Sequence, residues 1–307
     1  MSFTIRQLRY FVVAAEVGQI SQAGKDLYIS QSAITMAIKE IELHLGQEVF
    51  VRNSRGVSLT EAGRLFLPKA KQILQILTEA NQLNLPDREV EGVVRLGVSP
   101  TVMGFFLPYH IYQLNHVYPK LTITIHELDR MSIERKLIAG ELDFGLLLTS
   151  NLHQTSLRFE TFISSIRRLW VSGNHELLKH DKPTFLDLQD HPYILLTMDD
   201  NERSTMTFWG NMRPQIKYRT SSVEAIRSMV AHGAGISILP DMMYRPWSLE
   251  GKRIETITLQ QPIPALEVGM VWKDGLENNE VNTKFYDYFH GIFSTPLSTK
   301  SYSGSIF

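Results

Sequence analysis

Between Gln31 and Lys39 the chain gathers side chains that can read a nucleic acid. Gln31 carries the paired donor and acceptor that suit adenine, Ser32 and Thr35 carry hydroxyls for base edges or phosphates, and Lys39 suits phosphate or guanine. Met36 stands among them. This chemistry is usable only if the residues share an outward face. Ile34, Ile38, Ile41 and Leu45 recur at intervals of four, three and four and must turn toward a core, which puts Gln31, Ser32, Thr35, Met36 and Lys39 on the opposite or flanking faces. Ser30 is placed to cap this helix and joins the candidate contacts, and Gly46 ends it. An ordinary amphipathic helix with a solvated face has the same spacing, so the neighbouring elements decide the reading.

Upstream, Ile5, Leu8, Phe11, Val12 and Ala15 form one apolar stripe, and Gly18 ends that helix. Ser21 is expected to cap a short helix reaching about Leu27, with Ala23 and Leu27 on its inner face and Tyr28 and Ile29 forming the turn. Downstream, apolar flanks around AsnSerArgGly at 53–56 suit a two-stranded wing that carries Arg52 and Arg55 toward a phosphate backbone. Two short helices, a tight turn and a basic hairpin form the combination that lets a small domain place one helix in a DNA major groove.

The motifs ArgGlnLeuArgTyrPhe at 6–11, IleSerGlnSerAlaIleThr at 29–35, GluIle at 40–41 and ArgGlyValSerLeuThrGluAlaGly at 55–63 occur in order. Through them residues 3–63 resemble the winged helix-turn-helix of the LysR-type transcriptional regulators. Two positions depart from that pattern: Ser32 stands where the family usually has proline, and Gly24 where it usually has alanine. Serine at 32 lacks the rigid first-turn proline and adds a hydroxyl, which predicts a base preference unlike the family's average.

Thr60 and Glu61 open a long helical segment to about Asn84, with Ala70, Ile73, Leu74, Leu77 and Ala80 close to a heptad seam, and such a stripe predicts a partner helix. Pro68 lacks the amide that would bond the carbonyl of Arg64, so a bend is expected there. The resemblance implies that two such helices pack antiparallel in a dimer and that dimers can pair into a tetramer. LeuProAspArgGluValGluGly at 85–92 marks the next boundary.

From Val93 the chain alternates strand-like and helix-like stretches, an α/β pattern whose ligand sites lie beyond the carboxyl ends of the strands. SerProThr at 99–101 and ThrSerSer at 220–222 each follow a strand and open a helix. Capping alone explains such hydroxyls as readily as ligand binding does. The resemblance assigns them to a cleft, because it implies a two-lobed effector domain like a periplasmic binding protein. That cleft is lined by both junctions, by the strand end at 147–149 and by the segment 196–204. Ser99, Pro100, Thr101, Thr149, Thr197, Thr220 and Ser221 are then the candidate ligand contacts, with Arg130 or Arg203 supplying a fork for a carboxylate. A small organic anion is the expected effector.

The expected organisation is a winged helix-turn-helix domain over 1–63, a linker dimerisation helix over 60–86, a hinge at 87–92 and an effector domain over 93–307. Its first lobe takes 93–164 and 266–307, and its second takes 165–265.

Composition and the remaining motifs exclude several other classes. With 307 residues, 43% hydrophobic and 21% charged, the chain is globular and long enough for two or three cores. No run is long enough to cross a bilayer and the first residues carry no signal-peptide stretch, so a soluble cytoplasmic protein is expected. The absence of cysteine removes disulfides, thiolate zinc sites and thiol redox sensing. A net charge of −1 argues against a nonspecific polycation and leaves room for a local basic face. GlyAlaGly at 233–235 follows a helix and precedes a strand, the reverse of a dinucleotide loop, and reads as a helix stop. The ten histidines show no metal-ligand spacing, and AspAsp at 199–200 reads as a solvated loop. No enzyme, cofactor or metal is therefore expected. The expected partners are double-stranded promoter DNA, a small-molecule effector and further copies of the chain, with RNA polymerase as an additional contact. A competing reading is a cytoplasmic small-molecule receptor whose N-terminal domain mediates oligomerisation or protein contact.

Overall fold

The computed structural model describes residues 3–27, 29–53, 56–81, 90–150, 152, 156–275 and 279–293. They form two compact units, the first holding every element through the long helix and the second holding the rest.

In the first unit α1 (Ile5–Val17), α2 (Ile20–Leu27) and α3 (Gln31–Leu45) lead to the hairpin β1 (Phe50–Asn53) and β2 (Gly56–Leu59), followed by α4 (Glu61–Asn81). Thr4 and Gln7 close a capping box at the start of α1, and Gly18 ends it in the left-handed conformation. The carbonyl of Gln19 accepts the amide of Ala23. That bond starts α2 at Ile20, so Ser21 lies inside the first turn and is not the cap that its type suggests. Phe11, Ala23, Ile34, Ile38, Ile41, Val49 and Ala70 close the core, with Phe11 packed against Phe50 and Phe66 at centroid distances of 5.3 and 5.0 Å. The amide of Val57 bonds the carbonyl of Gly18 at 2.8 Å and ties the wing to the end of α1. Gly56, at φ 137, is needed there because a side chain would strike that same carbonyl. Thr60 caps α4, accepting the amide of Gly63 and donating to the carbonyl of Glu48. Pro68 lies inside α4, which runs through it without a break. The apolar stripe of α4 divides: Ala70, Leu74 and Phe66 pack on the unit's own core, whereas Leu65, Ile73 and Ile76 are exposed.

The second unit opens with β3 (Gly92–Val98), α5 (Pro100–Phe105), α6 (Leu107–Val117), β4 (Leu121–Glu127), α7 (Arg130–Ile138), β5 (Phe144–Leu148) and β6 (Leu157–Ser165). The chain continues into β7 (Arg167–Ser172), α8 (Phe185–Leu188), β8 (Pro192–Leu196), α9 (Asn201–Trp209), β9 (Gln215–Thr220), α10 (Val223–Ala231), β10 (Ser237–Pro240) and β11 (Ile254–Ile257). It ends on β12 (Leu266–Lys273) and α11 (Glu280–Phe293). One sheet has the order β4-β3-β5-β12-β6, with β3 parallel to β4 and β5 and β12 antiparallel to both its neighbours. β10-β7-β11 and the parallel pair β8-β9 lie in a second region, joined by a bridge between Tyr193 and Ile236. The chain therefore passes between the two sheet regions after β6 and returns after β11.

His110 on α6 is buried among Phe106, Phe289 and Phe293, and its Nδ1 lies 3.3 Å from the hydroxyl of Tyr288. Burial lowers its pKa to about 3. The folded protein thus keeps the ring neutral while the unfolded chain protonates it below its ordinary pKa of about 6.5. His110 contributes nothing to pH dependence above that value and costs stability at up to about 1.4 kcal/mol per pH unit as pH falls from 6.5 toward 3. Urea unfolding between pH 7 and 4 should show this slope, and His110→Leu should flatten it.

Candidate nucleic-acid interface and ligand cleft

Ser30 is extended at φ −68 and ψ 145, and its Oγ accepts the amide of Ala33 at 3.3 Å. Fully buried Ile34, Ile38 and Ile41 then set the rotation of α3. Gln31, Ser32, Met36 and Lys39 are exposed, Thr35 is half-buried, and the five line one shallow concavity. Met36 is 63% exposed, an unusual setting for a large apolar side chain. Glu40 accepts a hydrogen bond from the side chain of Gln7, and Glu42 accepts the amides of Val49 and Phe50 at the entry to the wing. Both acids of the helix are engaged on its flanks, and Lys39 is the charged residue of the outward set.

Ser32 has a partner that its sequence position did not suggest. Its Oγ lies 3.0 Å from that of Ser30, so this hydroxyl is joined to the cap of the same helix. Arg52 lies on β1 opposite Val57. Arg55 lies outside the described residues.

In the second unit, Ser99 precedes α5 and is buried, Pro100 occupies the first turn and Thr101 is buried behind it. The amide of Thr101 donates to Oδ2 of Asp199 at 2.9 Å. Arg130, at the start of α7, pairs with Asp200 at 3.0 Å and with Glu134 at 3.3 Å. AspAsp at 199–200 is therefore not a solvated loop: both carboxylates, between β8 and α9, meet groups of the β3–α5 junction and α7. The pKa of Asp199 is raised by burial, opposed by hydrogen bonds from Thr101 and Ser99 and reinforced by the charge of Asp200. Sequence spacing could not reveal this contact, because Thr101 and Asp199 lie 98 positions apart.

The other candidate ligand residues are spread along the strand ends. The amide of Thr197 bonds the carbonyl of Thr220 at 2.9 Å, which brings those two junctions side by side. Oγ1 of Thr220 accepts the amide of Ser222, Ser222 caps α10, and Ser221 is exposed between them. Thr149 is buried, its hydroxyl 2.9 Å from that of Thr161. Arg203 is exposed on α9. No cluster of histidine and acidic side chains fit to hold a metal occurs among the described residues.

A winged helix-turn-helix followed by a domain of two sheet regions joined by two chain crossings is the architecture of a ligand-responsive DNA-binding regulator. Residues 5–64 match the bacterial regulatory helix-turn-helix proteins of the lysR family, and residues 87–293 match the LysR substrate binding domain. The chain belongs to the LysR family of transcriptional regulators, and its second unit carries that family's substrate binding domain. It is 28% identical to the HTH-type transcriptional regulator YybE of Bacillus subtilis over 94% of this chain and 98% of that one. It is 27% identical to the DNA-binding transcriptional dual regulator OxyR of Escherichia coli over 88% and 90%. Among solved structures, HinK, a LysR family transcriptional regulator from Pseudomonas aeruginosa, aligns with a TM-score of 0.60 at 26% identity, covering 94% of this chain and 98% of that one. The protein is thus a LysR-type DNA-binding transcriptional regulator with an effector-binding domain.

Because Ser30 serves both its helix and Ser32, Ser30→Ala should lower the stability of the first unit by about 1 kcal/mol. Chemical denaturation followed by helical circular dichroism measures this. A loss within error of zero would show that the cap does not hold α3.

Proposed function

We propose that the outward face of α3 reads promoter DNA in the major groove through Gln31, Ser32, Thr35, Met36 and Lys39. In this reading Ser30 contacts the phosphate backbone beside them, and Arg52 and Arg55 of the wing hold it. The observation that carries the proposal is the single concavity formed by those five side chains on the face opposite Ile34, Ile38 and Ile41. Gln31 suits adenine and the exposed thioether of Met36 suits a thymine methyl. Exposed Leu65, Ile73 and Ile76 on α4 support pairing with the same helix of a second copy, giving a dimer or a tetramer built from two dimers.

The organisation proposed is a DNA-binding domain over 1–63, a linker helix over 60–86, a hinge at 87–92 and an effector domain over 93–307. One lobe comprises 93–164 and 266–307, and the other 165–265. A small organic anion binds between these lobes near Ser99, Pro100, Thr101, Arg130, Thr149, Thr197, Arg203, Thr220 and Ser221. Its preference for one lobe arrangement shifts the DNA-bound state. The signal is not read through a thiol, because the 307 residues contain no cysteine. The protein acts in the cytoplasm as a regulator without catalytic turnover, and RNA polymerase is its further partner at the promoter.

A mobility-shift titration on a fragment spanning the gene's own promoter should give saturable binding that weakens with salt. Arg52→Ala should weaken binding and reduce the slope of log affinity against log salt by about 1. No preference for the promoter over unrelated DNA at any salt would end this reading, and an unchanged slope in Arg52→Ala would remove the wing contact.

A further inference from the structure

Among the described residues, Asp199 is the one non-glycine residue with positive φ, at 50. Side chains seldom adopt that conformation unless the surroundings hold them there. Here the backbone turn carries the carboxylate to the amide of Thr101 at 2.9 Å, and the next residue, Asp200, reaches Arg130 at 3.0 Å. Two adjacent residues from the β8–α9 junction therefore grip two separate elements of the other sheet region, α5 and α7. The covalent connections between the regions are the segment from β6 to β7 and the one from β11 to β12, so these polar contacts add a tie that the chain itself does not supply.

The charges of this tie bear on what the cleft can accept. Asp200 and Glu134 share a single guanidinium, that of Arg130, and Asp199 holds the Thr101 amide next to Asp200 in sequence. An acidic ligand entering beside them would face three carboxylates, and the Thr101 amide is already satisfied. Both difficulties vanish if the ligand takes the place of the aspartates.

We propose that Asp199 sets the ligand specificity of the cleft as an internal competitor: an acidic effector binds by exchanging its carboxylate for that of Asp199 at the Thr101 amide. The same exchange releases the tie between the lobes. A ligand with a second anionic group also competes with Asp200 for Arg130, so small dicarboxylates fit the cleft better than monocarboxylates. This inference rests on the reading of the cleft as the effector site. Neither measurement below involves DNA, so a failure of promoter binding would strike the functional proposal and leave these results standing.

The full chain has no cysteine of its own, so Thr124→Cys on β4 and Lys217→Cys on β9, both exposed, provide a clean pair of spin-label sites. Pulsed electron resonance should give one narrow distance distribution with both aspartates present. It should give a broadened or displaced one in Asp199→Gly combined with Asp200→Ala. Glycine adopts the positive φ freely, so the substitution removes the carboxylate without straining the turn. Arg130→Ala, which cuts only the second contact, should fall between them and serves as the test if the double variant does not fold. In parallel, sodium succinate against sodium chloride at equal ionic strength should raise the melting temperature of Asp199→Gly by more than that of the parent chain. A distance distribution unchanged by these substitutions, or an equal succinate response in parent and variant, overturns the proposal.

Discussion

Burial of Ile34, Ile38 and Ile41 against Phe11 and its neighbours is the constraint on which the rest depends. A helix has one rotational phase once three such residues are committed, and every polar side chain on it then points where the geometry leaves it. Transferring side chains of this size from water stabilises the unit by about 1.5–3 kcal/mol each, well beyond what any single polar contact on the outer face contributes. The outward set can therefore vary from one family member to another without disturbing the fold. Glu42, which holds the amides of Val49 and Phe50, links that phase to the direction in which the wing leaves.

In the second unit the corresponding constraint is placement of β12 between β5 and β6. It pairs antiparallel with both, and Val268 and Met270 are fully buried. Gly269 lies close to the carbonyl of Glu160 and has no room for a side chain. A sheet completed in this way is rigid at its centre, and its strand ends are free to carry residues chosen for recognition. Thr101, Arg130 and Thr149 occupy such ends or the helix starts beside them, and Thr220 ends β9 in the other sheet region.

Local chemistry made the first unit readable. The four-three spacing of Ile34, Ile38 and Ile41, the serine before them and the glycine after them concern neighbours along a single helix and have the same effect in the folded chain. Leu45, one step further on the same stripe, instead lies exposed in the last turn. At several other positions the fold changes or adds to the reading. Ser21 looks like a cap, but the carbonyl of Gln19 already accepts the first bond of α2. The α4 stripe reads as one seam, yet Ala70 and Leu74 serve their own core while Ile73 and Ile76 face outward, because a helix can turn two apolar faces in different directions. Ser32 reads as an added donor and is found beside Ser30. Asp199 and Asp200 carry no local signal, since their partners are supplied by elements distant in sequence. A pair of acids between a strand and a helix is commonplace until the fold brings an amide and a guanidinium to them.

The central position of β12 also orders events during synthesis. Strands β3, β4, β5 and β6 emerge long before the strand that must lie between β5 and β6, so their sheet cannot close until nearly the whole chain has been made. Among the described residues, the core of the first unit is drawn from residues that precede β3. Domains that are complete in themselves fold as they emerge. The newborn chain thus has its helix-turn-helix in hand while the sheet of the second unit is still unfinished, and β12, the last strand among the described residues, is the one that completes it.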